Sequence, residues 1–288
     1  MVEGKAQIID GKALADTIRQ ETAAQVAKLD IQPGLAVILV GHDAASELYV
    51  SLKSKAAKEV GILFSLYRFP DNITEIELLE AVDWLNQDVD IDGILVQLPL
   101  PAHLDTDKII QAIDPKKDAD GFHTHNIQKL AAGESYVIPG LANGILQLLL
   151  STKEDLKSKQ AVIVARSPEF TGALSYLLQE FGMANTIINP EDNTVKNQTK
   201  QADILIIAAG KPHWIKKEDI KDGAIIIDVG TNRLADNSMV GDVDFADCLT
   251  KASWITPVPG GVGPMTVAML LKNTVALAIN PLSSQRRG

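Results

Sequence analysis

The chain has 288 residues, of which 46% are hydrophobic and 22% charged, an ordinary composition for a globular protein. Its 27 basic and 37 acidic residues give a formal net charge of −10, so it lacks the basic surface of a nucleic-acid-binding protein. The one cysteine, Cys248, excludes an intrachain disulfide and a cysteine-based zinc site, and it indicates a reducing compartment. The N-terminal residues carry charges where a signal peptide needs an apolar core, and no continuous apolar run of 18 residues follows. We therefore expect a cytoplasmic protein without a membrane partner.

Short apolar runs alternate with helical stretches along the chain. In chain order, the predicted strands are Leu35–Val40, Phe64–Phe69, Gly93–Leu98, Ala161–Ala165, Thr186–Asn189, Ile204–Ala208 and Ala224–Val229. The predicted helices are Gly11–Leu29, Ser46–Val60, Thr74–Asn86, Asn143–Leu150, Thr171–Gly182 and Thr266–Ile279. Because the strands are almost continuously apolar, both faces of each strand should be covered, as in a parallel sheet between helices. The alternation predicts an α/β fold.

The length favours two domains, at about 150 residues per domain. The polar stretch 151–160 divides the chain near its midpoint and precedes a strand typical of the start of a second α/β unit. The last helix follows a segment rich in proline and glycine, and we expect it to pack back onto the first half. The predicted domains are therefore residues 1–138 plus 265–288, and residues 139–264.

Two segments place polar side chains where chemistry is plausible. Tyr49 and Lys53 lie four residues apart on a predicted helix, so they share one face, and partial burial of Lys53 would lower its pKa. Gln97 ends a buried strand and is followed by Pro99 and Pro101, at the strand end where open α/β sheets bind ligands. The alternatives are an ordinary surface pair for Tyr49 and Lys53, and an incidental polar residue for Gln97.

Two further segments suit ligand binding. Asp118, Asp120, His123 and His125 lie within eight residues. A metal site is the less favoured interpretation, because the segment has neither thiolates nor the helical spacing of histidine ligands. A loop in which Asp120 orients a polar substrate is favoured. The segment 257–266 (PVPGGVGPMT) is a stiff loop with backbone donors that leads into a helix, which suits an anion or a planar polar ligand.

Together these segments resemble the bifunctional methylenetetrahydrofolate dehydrogenase/methenyltetrahydrofolate cyclohydrolase family (FolD). The matching strings are YVSLK, DGILVQLPLP, KDADGF, GDVDF and TPVPGGVGPMTVA, in that order, and the likeness runs from about residue 8 to residue 278. The resemblance implies that Lys53 is the general acid–base and that Tyr49 packs on the pterin ring. It also implies that Gln97 hydrogen-bonds Lys53 and that Asp120 anchors the pterin nitrogens.

The resemblance further implies a folate domain and a Rossmann-like NAD(P)-binding domain on either side of a cleft, and a homodimer formed through the second domain. The implied reactions are oxidation of 5,10-methylenetetrahydrofolate with NADP, or with NAD, and hydrolysis of the methenyl product to 10-formyltetrahydrofolate. No metal is implied. Further substrate-binding residues would be Pro259, Gly260, Gly261 and Pro264. Cofactor-binding residues would be Ala165, Arg166, Ser167 and Thr231.

The nucleotide half departs from the family pattern. Ala165 and Thr171 stand where the family has glycines, and a Cβ there is expected to obstruct the pyrophosphate. Asn189 and Pro190 replace a His-Ser or His-Arg pair, and the acidic residues Glu191 and Asp192 follow, where they would repel a 2′-phosphate. Other departures are Glu169, Ala173 and the segment 139–142 (PGLA) in place of Pro-Cys-Thr-Pro. The sequence thus predicts an eroded nucleotide site that binds NADP poorly, with little preference over NAD.

Three functions remain open at this point. The leading hypothesis is the enzyme with both activities. The second is a cyclohydrolase with a weakened or lost dehydrogenase, favoured by the altered nucleotide turn. The third is a folate-binding paralogue without turnover, which the intact Tyr49, Lys53, Gln97 and Asp120 disfavour because a pure binder needs no positioned lysine.

Overall fold

The computed structural model describes residues 6–134 and 137–280, and its elements confirm an α/β fold. The strands are β1 (Gln7–Ile8), β2 (Gly34–Val40), β3 (Leu63–Phe69), β4 (Gly93–Val96), β5 (Gln160–Ala165), β6 (Ala184–Ile188), β7 (Ile204–Ala208), β8 (Ile225–Asp228), β9 (Asn232–Arg233), β10 (Met239–Val240) and β11 (Trp254–Ile255). The helices are α1 (Gly11–Val26), α2 (Ala44–Val60), α3 (Glu75–Gln87), α4 (Thr106–Gln111), α5 (Thr124–Ala131), α6 (Gly140–Ser151), α7 (Pro168–Glu180), α8 (Val195–Thr199), α9 (Phe245–Cys248) and α10 (Val262–Ile279). A short 3-10 helix spans Lys217–Asp219.

The chain divides into two compact units, which we name after their sheets. The six-stranded unit contains the described residues up to Ala15 together with Leu141–Thr266. The three-stranded unit contains Asp16–Gly140 together with the described chain from Val267 onward. These bounds differ from the predicted domain of residues 1–138 at its start, because β1 pairs in parallel with β11 of the six-stranded sheet. β1 is only two residues long and exposed, so it gives no hydrophobic signal in the sequence.

The three-stranded sheet has the order β3-β2-β4, with β2 parallel to both neighbours. Every residue of β2 is buried. Leu35 and Val37 belong to the hydrophobic cluster on one side, which includes residues of α2 and α10. Ala36 and Ile38 belong to the cluster on the other side, which includes residues of α3 and α4. Because successive side chains of a strand point to opposite faces, a strand covered on both faces has the continuous apolar run seen in the sequence.

The six-stranded sheet has the order β1-β11-β8-β7-β5-β6, and its neighbouring strands are all parallel. The carboxyl ends of the strands therefore meet at one edge. At that edge the loops that follow β7, β5 and β6 lie side by side, which is where open α/β sheets bind ligands.

The predicted long elements are all present. The seven predicted strands are β2 to β8, and each of their ends lies within two residues of the prediction. The prediction missed four strands of two residues each, and it also missed the short helices α4, α5, α8 and α9. Segments of this length are too short to show a hydrophobic period. Within the described chain, α10 is long and apolar enough to cross a membrane by length and composition alone, and 67% of it is buried inside the protein.

Candidate active site

Lys53 and Gln97 meet at the carboxyl edge of the three-stranded sheet. Lys53 lies on α2, the helix that follows β2. Gln97 follows β4 directly, is only 9% exposed, and extends the sheet because its backbone N–H donates to the carbonyl of Ile38 at 2.9 Å. Lys53 Nζ donates to Gln97 Oε1 at 2.8 Å, and Gln97 Nε2 donates to the carbonyl of Leu98 at 2.7 Å. The second bond holds the amide with its oxygen towards the ammonium group.

Asp120 reaches the same edge of the sheet through a segment that runs beside β4. The carbonyl of Lys117 accepts a hydrogen bond from Ile94 N at 2.6 Å, and Ala119 N donates to the carbonyl of Ile94 at 3.3 Å. Asp118 forms an isolated parallel bridge with Ile94. Residues 117–119 therefore continue the parallel sheet, and the next residue, Asp120, emerges beside the end of β4.

The buried carboxylate of Asp118 fixes the loop that carries Asp120. It accepts hydrogen bonds from Gly121 N at 3.0 Å, His123 N at 2.8 Å and Asn126 Nδ2 at 2.9 Å. Three donors to one carboxylate make a rigid turn. Asp118 and Asp120 therefore differ in their surroundings. The carboxylate of Asp118 is engaged in ordering the loop, whereas that of Asp120 accepts none of these hydrogen bonds.

The loop is also held from α10. Asn273 Nδ2 donates to the carbonyl of Ala119 at 3.0 Å and to the carbonyl of Ile138 at 2.9 Å. Gly121 has a φ of +79°, and a Cβ there would lie 2.9 Å from the backbone nitrogen of Pro139. Glycine is therefore required at this position by both the backbone conformation and the space.

The charges of Lys53 and Asp120 are coupled. Burial lowers the pKa of the Lys53 ammonium, and the negative charge of Asp120 partly opposes this shift. Burial raises the pKa of Asp120 to about 6, with Lys53 lowering it and Asp118 raising it. Among the residues that the structure describes, none donates a hydrogen bond to the Asp120 carboxylate, so its oxygens are available to a ligand. A lysine with a lowered pKa is suited to proton transfer near neutral pH.

Tyr49 lies one turn before Lys53 on α2, and 38% of its surface is exposed. Its ring can therefore contact a ligand beside Lys53. The structure thus brings together three of the four predicted catalytic residues by direct or electrostatic contact, and it places Tyr49 on the same helix.

The other predicted substrate residues belong to the six-stranded unit: Pro259, Gly260 and Gly261 lie in the loop before α10, and Pro264 lies in the first turn of that helix. The glycines of this loop have a packing role. A Cβ on Gly11 would lie 1.9 Å from the carbonyl oxygen of Gly261, and Lys12 N donates to the carbonyl of Gly260 at 2.9 Å. The start of α1 thus rests directly on the loop backbone. The roles of Pro259, Gly260, Gly261 and Pro264 in substrate binding stay predictions.

The loop after β5 leads directly into the N-terminus of α7, as the loop does in a dinucleotide-binding turn. The hydroxyl of Ser167 caps the helix by accepting a hydrogen bond from Phe170 N at 3.3 Å. Ala165 and Thr171 are each 5% exposed, and Thr171 Oγ1 donates to the carbonyl of Ser167 at 3.0 Å. Both side chains are buried in the turn, and the expectation that they obstruct a pyrophosphate stays a prediction.

Asp242 organises the loop after β7. Its fully buried carboxylate accepts hydrogen bonds from the backbone nitrogens of Ala209 at 2.5 Å, Gly210 at 3.1 Å and Lys211 at 2.7 Å, and from Asn232 Nδ2 at 2.9 Å. Because Asn232 lies in the sequence GTNR and Asp242 in GDVDF, these two strings meet in space. The sequence showed both strings but not what joins them.

A second carboxylate, Asp228, lies beside Asp242 at the end of β8. It accepts hydrogen bonds from the backbone nitrogens of Gly230, Asp242 and Val243, and burial raises its pKa to about 7. A Cβ on Gly241 would lie 1.9 Å from Asp228 Oδ2. Thr231, a predicted cofactor residue, is exposed just after this strand.

The remaining predicted cofactor residue, Arg166, is engaged in an ion pair. Its Nη1 donates to the carbonyl of Ala209 at 2.7 Å, and its Nη2 donates to Glu191 Oε1 at 2.6 Å. Within residues 6–134 and 137–280, no group of three or more His, Cys, Asp or Glu side chains is placed to hold a metal ion.

Comparison with known proteins agrees with the geometry. The model of the tetrahydrofolate dehydrogenase/cyclohydrolase catalytic domain matches residues 9–120, and the model of the NAD(P)-binding domain of the same family matches residues 139–281. The bifunctional protein FolD of Geotalea daltonii is 46% identical over 276 residues, which are 95% of this chain and 99% of that protein.

Two solved structures extend the comparison. The bifunctional FolD enzyme of Campylobacter jejuni is 43% identical, with a TM-score of 0.92 over 96% of this chain and 99% of that one. The FolD enzyme of Trypanosoma brucei, solved with NADP and an inhibitor, is 36% identical, with a TM-score of 0.91 over 95% of this chain and 97% of that one. The chain belongs to the tetrahydrofolate dehydrogenase/cyclohydrolase family.

Proposed function

We propose that this protein oxidises 5,10-methylenetetrahydrofolate to the 5,10-methenyl form with NADP or NAD, and hydrolyses that product to 10-formyltetrahydrofolate. The observation that carries the proposal is the hydrogen bond between Lys53 and Gln97. It lies beside the carboxylate of Asp120, which accepts no hydrogen bond from any described residue. The relatives named as bifunctional FolD proteins support both activities. A cytoplasmic homodimer is part of the proposal, and sedimentation velocity tests the dimer.

Lys53 is the proton-transfer group of the hydrolytic step. Because burial lowers its pKa, a larger fraction of the side chain is a neutral amine near neutral pH. A neutral amine can take a proton from the water that attacks the methenyl carbon, and the resulting ammonium can return that proton to the pterin N5 as the bond between N5 and this carbon breaks. Before the attack, the neutral amine adds no positive charge beside the cationic carbon. Gln97 Oε1 accepts a hydrogen bond from Nζ and so sets the direction in which the amine points.

Asp120 and Tyr49 hold the folate. A pterin ring presents several N–H donors in one plane, and a carboxylate with free oxygens accepts two of them. The exposed ring of Tyr49 offers an aromatic face to the same ligand. Both reactions change one carbon atom, so one pocket that fixes the pterin serves both.

The six-stranded unit has features that fit a dinucleotide. The capped start of α7 presents backbone N–H groups, which suit a pyrophosphate, and Asp242 fixes the neighbouring loop 209–211. Arg166, Ser167 and Thr231 lie on loops at the carboxyl edge of the sheet and would hold the cofactor. When bound, NADP or NAD supplies the acceptor for the hydride that leaves the methylene carbon.

The experiment measures both reactions on purified protein. Oxidation is followed by the absorbance of the reduced nicotinamide, and hydrolysis by the loss of the methenyl absorbance in the absence of nucleotide. We expect both activities. A protein that binds folate but catalyses neither reaction contradicts the proposal, and hydrolysis alone contradicts its dehydrogenase half.

A further inference from the structure

Glu191 joins two cations that come from two neighbouring loops. Arg166 follows β5, Glu191 follows β6 and Lys211 follows β7. Glu191 Oε1 accepts from Arg166 Nη2 at 2.6 Å, and its Oε2 accepts from Lys211 Nζ at 3.4 Å. Lys211 Nζ also donates to the carbonyl of Pro190 at 2.8 Å. One carboxylate thus pairs with both of these cations at the carboxyl edge of the sheet, where open α/β sheets bind ligands.

This cluster is poorly suited to stabilising the fold. The side chains of Glu191 and Arg166 are 66% and 51% exposed, and that of Lys211 is 33% exposed. Ion pairs so open to water contribute little to the free energy of folding. The hydrogen bond from Arg166 and the nearby Lys211 hold the pKa of Glu191 below its usual value, so the carboxylate is ionised at neutral pH.

The position of Glu191 matches a known site of dinucleotide recognition. In doubly wound sheets an acidic residue about 20 residues after the phosphate-binding turn accepts hydrogen bonds from the adenosine ribose, and an arginine nearby accommodates a 2′-phosphate instead. Glu191 is 25 residues beyond Arg166 and directly beyond the second strand of this βαβ unit. This chain has both the acidic residue, Glu191, and the arginine, Arg166, and the two form an ion pair with each other.

We infer that Glu191 is the specificity-determining residue of the cofactor site and biases it towards NAD. Its carboxylate accepts a hydrogen bond from a free 2′-hydroxyl but repels a 2′-phosphate, and it occupies Arg166 and Lys211, the cations that would otherwise bind that phosphate. The inference rests on the proposed dinucleotide site, and it concerns only which dinucleotide that site prefers.

The test compares Glu191→Gln with Asp192→Asn. Both changes remove one negative charge from the same exposed loop and keep the size of the side chain. The Asp192 carboxylate accepts from the backbone nitrogen and the hydroxyl of Thr194, each at 2.7 Å, so it differs from Glu191 in its partners. The dissociation constants of NAD and NADP are measured by calorimetry on the full chain, in low and in high salt.

We expect Glu191→Gln to shift the ratio of the two constants towards NADP by about tenfold or more, since a charge-assisted hydrogen bond is worth at least that factor. The shift should shrink in high salt, because the groups are exposed. Asp192→Asn should change the ratio less than about threefold, because Asp192 pairs with neither Arg166 nor Lys211, so its loss frees no cation for the phosphate, and the repulsion of one exposed charge is screened by solvent. Hydrolysis without nucleotide, which should be equal in all three proteins, shows that the variants are folded.

An unchanged ratio in Glu191→Gln, or an equal shift in Asp192→Asn, overturns the inference. Failure of the proposed function looks different, because then neither nucleotide binds to the unmodified protein or no folate is oxidised.

Discussion

Lys53→Met is the most direct test of the active site. Methionine keeps the length and the apolar stem of lysine but cannot transfer a proton. The change removes the donor of the 2.8 Å hydrogen bond to Gln97 and leaves the backbone of α2 unaltered. A general acid–base group supplies about a hundredfold to ten-thousandfold in rate, so we expect the hydrolysis rate to fall by a factor in that range.

The effect on stability should be small. The lost charge-assisted hydrogen bond is worth about 1.5–3 kcal/mol, but the variant no longer has to bury an ammonium group, and the two contributions offset each other. The melting temperature should therefore change by a few degrees at most, at about 4–8 °C per kcal/mol for a domain of about 100 residues and less for a larger one. Folate binding should stay within a few-fold, because Asp120 and Tyr49 are intact.

The assay is the loss of methenyl absorbance under saturating substrate, with Lys55→Met as the control. Lys55 lies on the same helix, two residues further on, and its side chain is exposed. The control removes the same charge from the same helix and should keep the full rate. If Lys53→Met retains more than a tenth of the rate, or if Lys55→Met loses as much, Lys53 is not the proton-transfer group.

Three further changes test the surroundings of the two sites. Asp120→Asn should raise the KM for folate at least tenfold and leave the melting temperature unchanged or higher, whereas activity loss with chelators would instead support a metal at this loop. Gly241→Ala should prevent stable folding, because the added Cβ would lie 1.9 Å from Asp228 Oδ2, and circular dichroism during heating measures this. Asp242→Asn should weaken nucleotide binding and spare hydrolysis, since its carboxylate holds three backbone N–H groups of loop 209–211; equal losses of both activities would show a purely structural role.

The long elements and the shared helix face of Tyr49 and Lys53 could be predicted from the sequence because their signals are local, whereas the hydrogen bond between Lys53 and Gln97 was expected only from the resemblance to the family. The strands have continuous apolar runs, and Tyr49 and Lys53 have a helical spacing. The roles of Asp118 and Asn273 could not be predicted in this way. Asn273 holds the loop at Ala119 from a helix that lies 154 residues later in the chain, and no pattern in the sequence reports such a contact.

The turn after β5 shows a second limitation of sequence patterns, which give residue types but not side-chain positions. The family pattern predicts that Ala165 and Thr171 obstruct a pyrophosphate, and a pattern of residue types does not say how deeply a side chain is buried. Both side chains are buried in the structure. The sequence also predicts that Glu191 disfavours a 2′-phosphate, and the ion pairs of Glu191 with Arg166 and Lys211 supply a physical reason for that prediction.

The coupling between Lys53 and Asp120 makes the Lys53→Met experiment more informative. The pKa of Asp120 is about 6, so its carboxylate is protonated as the pH falls below that value, and folate affinity should fall with it. The positive charge of Lys53 lowers this pKa. In Lys53→Met that charge is gone, and the pH at which folate binding is half lost should therefore move upward. In Asp120→Asn the pH dependence should disappear. A midpoint that stays in place in Lys53→Met would mean that the two groups do not share one site, whatever the change in rate.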